Sequence, residues 1–232
     1  MLKFYEKHES VIVFSLIIIY LVINMICLNL FGNTSFETAI INFVLSGFIL
    51  SFIYKNNLKE KYGLIKIQNS KDFLYFIPLL AIVSVNIWNG INIQNTTSEI
   101  ISHILTMIGV GFLEEIIFRG FLFKMMEKDG LKSAIIVSSI TFGIGHIINL
   151  LNGAEFIPTL IQVCYAIAGG YMFVMIFHKG KSLLPCIIAH SAINALSIFN
   201  IDNNLSMYIA PLFMMIVSIT YAEYIRKNKK LI

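Results

Sequence analysis

Apolar and polar positions along this chain fall into long blocks, not into the short period of a half-buried helix or strand. Eight apolar stretches, at about 11–31, 38–54, 73–94, 100–123, 132–151, 156–177, 183–200 and 205–225, are separated by short polar runs. A helix that crosses a bilayer needs ~20 largely apolar residues, with a range of about 17–25, and each stretch falls within it. The pattern predicts an all-α, polytopic membrane bundle of about eight transmembrane helices, as one domain over 1–232. The second stretch is short and the fourth is broken by charge, so seven is the competing count.

Composition agrees. Of the 232 residues 57% are hydrophobic and 13% are charged, against about 25% charged in a soluble domain. Cys27, Cys164 and Cys186 lie far apart in separate apolar stretches. They form no metal-binding or disulfide pattern and read as small buried hydrophobes. The net charge of +4 does not point to nucleic acid, because its distribution is topological. With the N-terminus in the cytoplasm, the inner segments are 1–10, 55–72, the 119–132 turn, 178–182 and 226–232. They hold every Lys and Arg of the chain, while the outer segments keep only Glu37, Glu99, Glu155 and Asp202. This is the positive-inside pattern. It predicts a multi-pass protein of the cell membrane with both termini cytoplasmic. The first apolar run is longer than a signal-peptide core and no small-residue cleavage site follows it, so it reads as a retained helix. The basic 55–72 loop reads as a topology signal at the cytoplasmic surface.

Inside the fourth stretch sit two adjacent carboxylates, Glu114 and Glu115. A charge at the centre of a membrane helix costs roughly 2.5–3.5 kcal/mol even on the lenient insertion scale. Ionisable groups at such depth face a bundle interior or a watery cavity and mark functional sites. Glu115 and Arg119 are i and i+4 and share a face. Glu114 is rotated about 100° from Glu115, so the two need not do one job. Phe142 and His146, then His190 and Asn194, repeat the i, i+4 spacing on two later helices.

Gly130 marks a turn, and Glu114 and His146 each lie 16 residues from it. In an antiparallel hairpin, equal offsets mean equal height, here ~24 Å from the turn. A carboxylate and a histidine that meet there can activate water. A second histidine with an amide beside it can donate to a developing oxyanion. The same Glu114, His146 and His190 could instead hold zinc, assembled from three helices because HExxH is lacking. His103 and His178 read as structural. Asn86, Asn89, Asn149 and Asn152 read as helix-end or interhelical groups.

At these residues the chain resembles the CPBP family of intramembrane proteases, which includes type II CAAX prenyl endopeptidases and bacterial members linked to bacteriocin processing or immunity. The family pattern EExxxR, FxxxH and HxxxN appears in order as Glu114-Glu115-Ile116-Ile117-Phe118-Arg119, Phe142 to His146, and His190 to Asn194. The resemblance covers roughly 100–200, a catalytic core within the single domain. It implies that Glu114 is the general base, assisted by His146, that His190 and Asn194 stabilise the oxyanion, and that Glu115 and Arg119 order the site. Both a zinc-dependent and a metal-free glutamate mechanism are argued for the family, and the sequence leaves the cofactor open between zinc and none. The implied partner is a peptide or protein substrate, lipidated or membrane-inserted, in contact with the bilayer. The cytoplasmic position of the 119–132 turn favours a substrate approaching from that side or from the inner leaflet. Two other readings are a non-catalytic membrane immunity or binding protein of the same fold, and a proton-coupled transporter. The lack of internal repeats argues against the transporter.

Overall fold

A computed structural model describes residues 2–67, 76–203 and 205–228. Among these residues all regular structure is helical. A short α1 (Leu2–Lys7) leads into α2 (Glu9–Phe31) and α3 (Phe36–Lys55). Then come α4 (Ile77–Val83, prolonged by a 3-10 turn over Ser84–Ile87) and α5 (Thr97–Glu114). The α5 rod widens into a π-helix over Glu115–Phe123 and closes with Lys124–Met126. Next are α6 (Leu131–Gly145, tightening to 3-10 over His146–Asn152) and α7 (Phe156–Gly180). The bundle ends with α8 (Leu184–Leu196, then 3-10 over Ser197–Phe199) and α9 (Ala210–Lys227, preceded by a π turn over Leu205–Ile209).

Six of these rods are long and apolar enough to cross a membrane: Glu9–Phe31, Phe36–Lys55, Thr97–Met126, Leu131–Asn152, Phe156–Gly180 and Leu205–Lys227. The stretch that looked short, the second, forms a full-length rod. Among the described residues, the third and the seventh give shorter helices, Ile77–Ile87 and Leu184–Phe199. Those lengths correspond to ~16 and ~24 Å against a hydrocarbon core of ~30 Å. Each begins at a proline in the first turn, and α4 ends before Gly90, whose φ of 99° no helix adopts. The two short helices pack on each other. Asn86 Nδ2 donates to the Ile193 carbonyl at 2.7 Å across that contact. The start of the third predicted span, at 73–75, lies outside the described residues, as do Lys71, Lys229 and Lys230 of the basic set.

Local chemistry sets where the site-bearing rod begins. Thr96 and Glu99 form a capping box at the start of α5, satisfying two backbone N–H groups that a helix start leaves without partners. From there α5 runs through the middle of the bundle between α3 and α8, while α6 and α9 both pack on α7.

The two ends of the bundle differ. At the basic end, Glu9 accepts from Lys61 at 3.1 Å, from Lys128 and from the Tyr5 hydroxyl at 3.0 Å. Glu127 accepts from Lys124 at 2.7 Å and meets His178 Nδ1 at 2.8 Å. These contacts tie α1, the 56–67 loop, the α5–α6 turn and the end of α7 into one base. At the opposite end, Asn29 Nδ2 donates to Asn152 at 2.6 Å, Ser102 to the Thr34 carbonyl, and Asn89 to Asn203 at 2.9 Å. Cys27 and Cys186 are buried as expected, but Cys164 is exposed. It lies on the α7 face that borders a groove between α6 and α9, two helices that pack on α7 more than on each other.

Candidate active site

The three polar motifs converge where α5, α6 and α8 pass α7. Glu115 and Arg119 are completely buried, and Glu115 Oε1 lies 3.1 Å from Arg119 Nη1. None of the guanidinium nitrogens completes a well-angled hydrogen bond. The cation is instead stacked on rings, with its carbon 3.9 Å from the Phe142 centroid and 5.6 Å from that of Phe173. Such stacking is worth ~2 kcal/mol or more when desolvated. The guanidinium therefore joins α5 to α6 and α7.

His190, on α8, stands between the two carboxylates. Its Nδ1 is 2.8 Å from Glu115 Oε1, and its Nε2 is 3.3 Å from Glu114 Oε2. The Phe142 ring packs edge-on against both His190, at 5.6 Å, and His146, at 5.3 Å. Phe173 covers the remaining side of His190 at 5.7 Å. Glu115, His190, Arg119 and the two phenylalanines thus form a packed block behind Glu114.

Glu114 is placed differently from Glu115. Its side chain is 13% exposed against 0% for Glu115, because it borders a cavity of about 380 Å³. His146 and Asn194 border the same cavity. Equal offsets from Gly130 therefore correspond to positions on one cavity wall, although the side chains that touch Glu114 directly are His190 and Tyr20. The Tyr20 hydroxyl donates to Glu114 Oε1 at 2.9 Å. Tyr20 comes from α2, outside the three motifs. The sequence signal that could have found it is a pair of polar residues, Tyr20 and Asn24, one turn apart near the middle of a largely apolar span.

Backbone geometry changes at the site. The α-helical period of α5 ends at Glu114, and the wider π turn starts at Glu115. The α6 rod tightens to 3-10 at His146. Such turns re-aim side chains and recur at functional positions. Close approach of α5 to α8 depends on Gly111: a Cβ there would lie 2.8 Å from the Ser191 backbone nitrogen. That contact sits beside His190.

The other histidines have structural partners. His103 Nε2 is 3.1 Å from the Asn194 carbonyl and 3.3 Å from Ser197 Oγ, so it fixes the backbone of the HxxxN turn. Asn149 donates to Gln162 at 2.9 Å. Among the described residues, no group of three or more His, Cys, Asp or Glu is arranged to hold a metal ion. Glu114, His146 and His190, the donor set expected for zinc, do not form one: both His190 nitrogens face carboxylates, and His146 stands across the Phe142 ring.

The cavity also departs from expectation in its direction. Its other walls include Asn24, Leu28, Asn33, Asn149 and Ser197, all toward the acidic end of the bundle. On the basic side of Glu114, the π-helical turn is buried throughout.

No curated protein and no solved structure matches the chain. A protein-family model does, over residues 96–196, a little under half of the chain. It is the model described as Rce1-like, type II CAAX prenyl endopeptidase Rce1-like. The matched segment runs from the Thr96 cap to Leu196, the last residue of α8, and includes Glu114, Glu115, Arg119, His146, His190 and Asn194. This match, on a polytopic helical bundle, supports a CPBP-family intramembrane protease.

Proposed function

We propose that this chain is an intramembrane endopeptidase that hydrolyses a peptide bond of a membrane-associated peptide or protein with water activated by Glu114. One observation carries the reading. Of the two adjacent carboxylates, only Glu114 borders the cavity, and it shares that wall with His146 and Asn194.

Glu114 takes a proton from water as the oxygen adds to the carbonyl carbon. Tyr20 holds Oε1 at 2.9 Å, and Oε2 lies on the His190 side. Asn194, which lines the cavity, supplies N–H donors to the tetrahedral oxyanion, while His190, held between the two carboxylates, orients Glu114 through Nε2. The proton held by Glu114, with His146 lining the same cavity, passes to the amide nitrogen as the C–N bond breaks. Glu115 and Arg119 touch no substrate. Their role is to hold His190 through Nδ1 and the Phe142 ring beneath it.

The test is cleavage of a peptide library by purified, reconstituted protein, with and without a strong chelator. Glu114→Ala and His146→Ala are expected to keep their helical content and lose cleavage. Full cleavage by either variant overturns the role of the residue replaced. Loss of wild-type activity to the chelator, restored by zinc, overturns the metal-free route.

A further inference from the structure

The cavity at Glu114 has an orientation. Beyond α5, which lines it from Thr106 to Phe118, the lining comes from rod halves nearer the acidic end: α2 from Tyr20 to Leu28, α6 from Phe142 to Asn152, α7 at Gln162 and Tyr165, and α8 from Ile193 to Ser197. Among the described residues that end carries Glu37, Glu99, Glu155 and Asp202 and no Lys or Arg, which the positive-inside rule assigns to the non-cytoplasmic face. Toward the basic end the same rod is sealed. Phe118 still lines the cavity, and beyond it Phe121, Leu122 and Phe123 are each at most 4% exposed. Phe121 packs on Tyr62 at 4.4 Å, and Phe123 on Phe177 at 6.1 Å.

The open side is lined by polar side chains. Asn24, Asn33, Asn86, Asn149, Asn152 and Gln162 lie along it, with Asn24, Asn86 and Asn149 donating to the Tyr20 carbonyl, the Ile193 carbonyl and Gln162. Besides Glu114 Oε2, two groups in the lining have no hydrogen-bond partner, Asn152 Nδ2 and the buried Thr106 hydroxyl. Buried polar groups are normally paired, and an extended peptide offers a donor or acceptor at every residue.

Resting on the hydrolytic reading of Glu114, we infer that the substrate enters from the acidic, non-cytoplasmic end as an extended segment of an exported or membrane-inserted peptide. A lipidated tail presented in the cytoplasm meets the sealed side. Glu114 lies 17 residues into the rod from Thr97, or ~25 Å. At ~3.3–3.6 Å per extended residue, about seven residues of free chain reach the carboxylate.

Entry side is read by thiol labelling. In a Cys164→Ser background the two remaining cysteines are buried. Asn24→Cys and Asn149→Cys report on the cavity, and Lys59→Cys reports on the basic end. A membrane-impermeant charged methanethiosulfonate added to right-side-out vesicles should label both cavity cysteines at least about tenfold faster than Lys59→Cys, with the order reversed in inside-out vesicles. Labelling of the cavity cysteines from the cytoplasmic face only, or from neither face, overturns the inference. A quenched peptide that the solubilised protein cleaves should be cut when offered outside right-side-out vesicles; cleavage only in inside-out vesicles overturns it as well. A protein that cleaves nothing in detergent refutes the hydrolytic reading instead, and the labelling still decides the entry side.

Discussion

Replacing Arg119 by Leu tests whether the packed block behind Glu114 rests on a buried ion pair. Both partners are fully buried and 3.1 Å apart. Two unit charges at that separation attract by about 5 kcal/mol at an effective dielectric near 20. Much of this only offsets desolvation, so the pair as a whole adds little over a well-packed apolar replacement. Removing one partner is different, because it strands a buried charge at a cost of about 3–5 kcal/mol. Arg119→Leu also loses the stacking on Phe142 and Phe173. For a chain of this size about 3–5 kcal/mol lowers the unfolding midpoint by roughly 10 °C. The double variant Glu115→Gln with Arg119→Leu removes the stranded charge and keeps a side-chain oxygen for His190 Nδ1. It should recover at least half of that loss, giving a coupling of about 2 kcal/mol or more in a double-mutant cycle. Unfolding in detergent micelles, followed by helical circular dichroism, measures all four proteins. A midpoint for Arg119→Leu within about 2 °C of wild type, or strictly additive losses, refutes the argument.

Three other outcomes follow from the same geometry. Gly111→Ala forces a Cβ against the Ser191 backbone; overpacking of this kind costs about 1–3 kcal/mol, and cleavage should fall more than stability because Ser191 adjoins His190. Tyr20→Phe removes one hydrogen bond to a charged group, worth about 1.5–3 kcal/mol. Its kcat should fall roughly tenfold or more with KM little changed, and an unchanged kcat would show that Tyr20 does not position Glu114. Glu127 gives a pH signature. Burial alone would raise its carboxyl, but hydrogen bonds from Lys124 and His178 outweigh this and hold it below the usual carboxylate range. A carboxyl lowered on folding stabilises above its unfolded value, and that contribution is lost as pH falls through the folded value. Stability of wild type should therefore drop more steeply below about pH 4.5 than that of Glu127→Gln in unfolding scans across pH.

Much of the molecule was legible as a string. Block hydrophobicity marked the rods because a bilayer offers backbone groups no partners, leaving helices as the way across. The acidic and basic ends were legible because loop charge is read during insertion, before the bundle packs. The motif residues stood out because charge in an apolar span is expensive. The length of α4 and α8 was not legible. Their apolar runs are long enough to span, but the described helices start at a proline in the first turn and α4 ends before the turn at Gly90.

The chain by itself determined that Glu115 and Arg119 share a face, since i, i+4 spacing is a property of one helix. It likewise put Glu114 and His146 at similar depth, since that requires only a turn and a constant rise per residue. The tertiary structure decided what no single helix contains. It put His190 between two carboxylates, brought Tyr20 from α2 onto Glu114, and laid Phe142 under the guanidinium. It also decided which way the cavity runs. From Glu114 its lining continues toward Asn33, Asn149 and Ser197, while the side chains of the π-helical segment are buried, and side-chain packing between helices far apart in sequence is not written in local spacing.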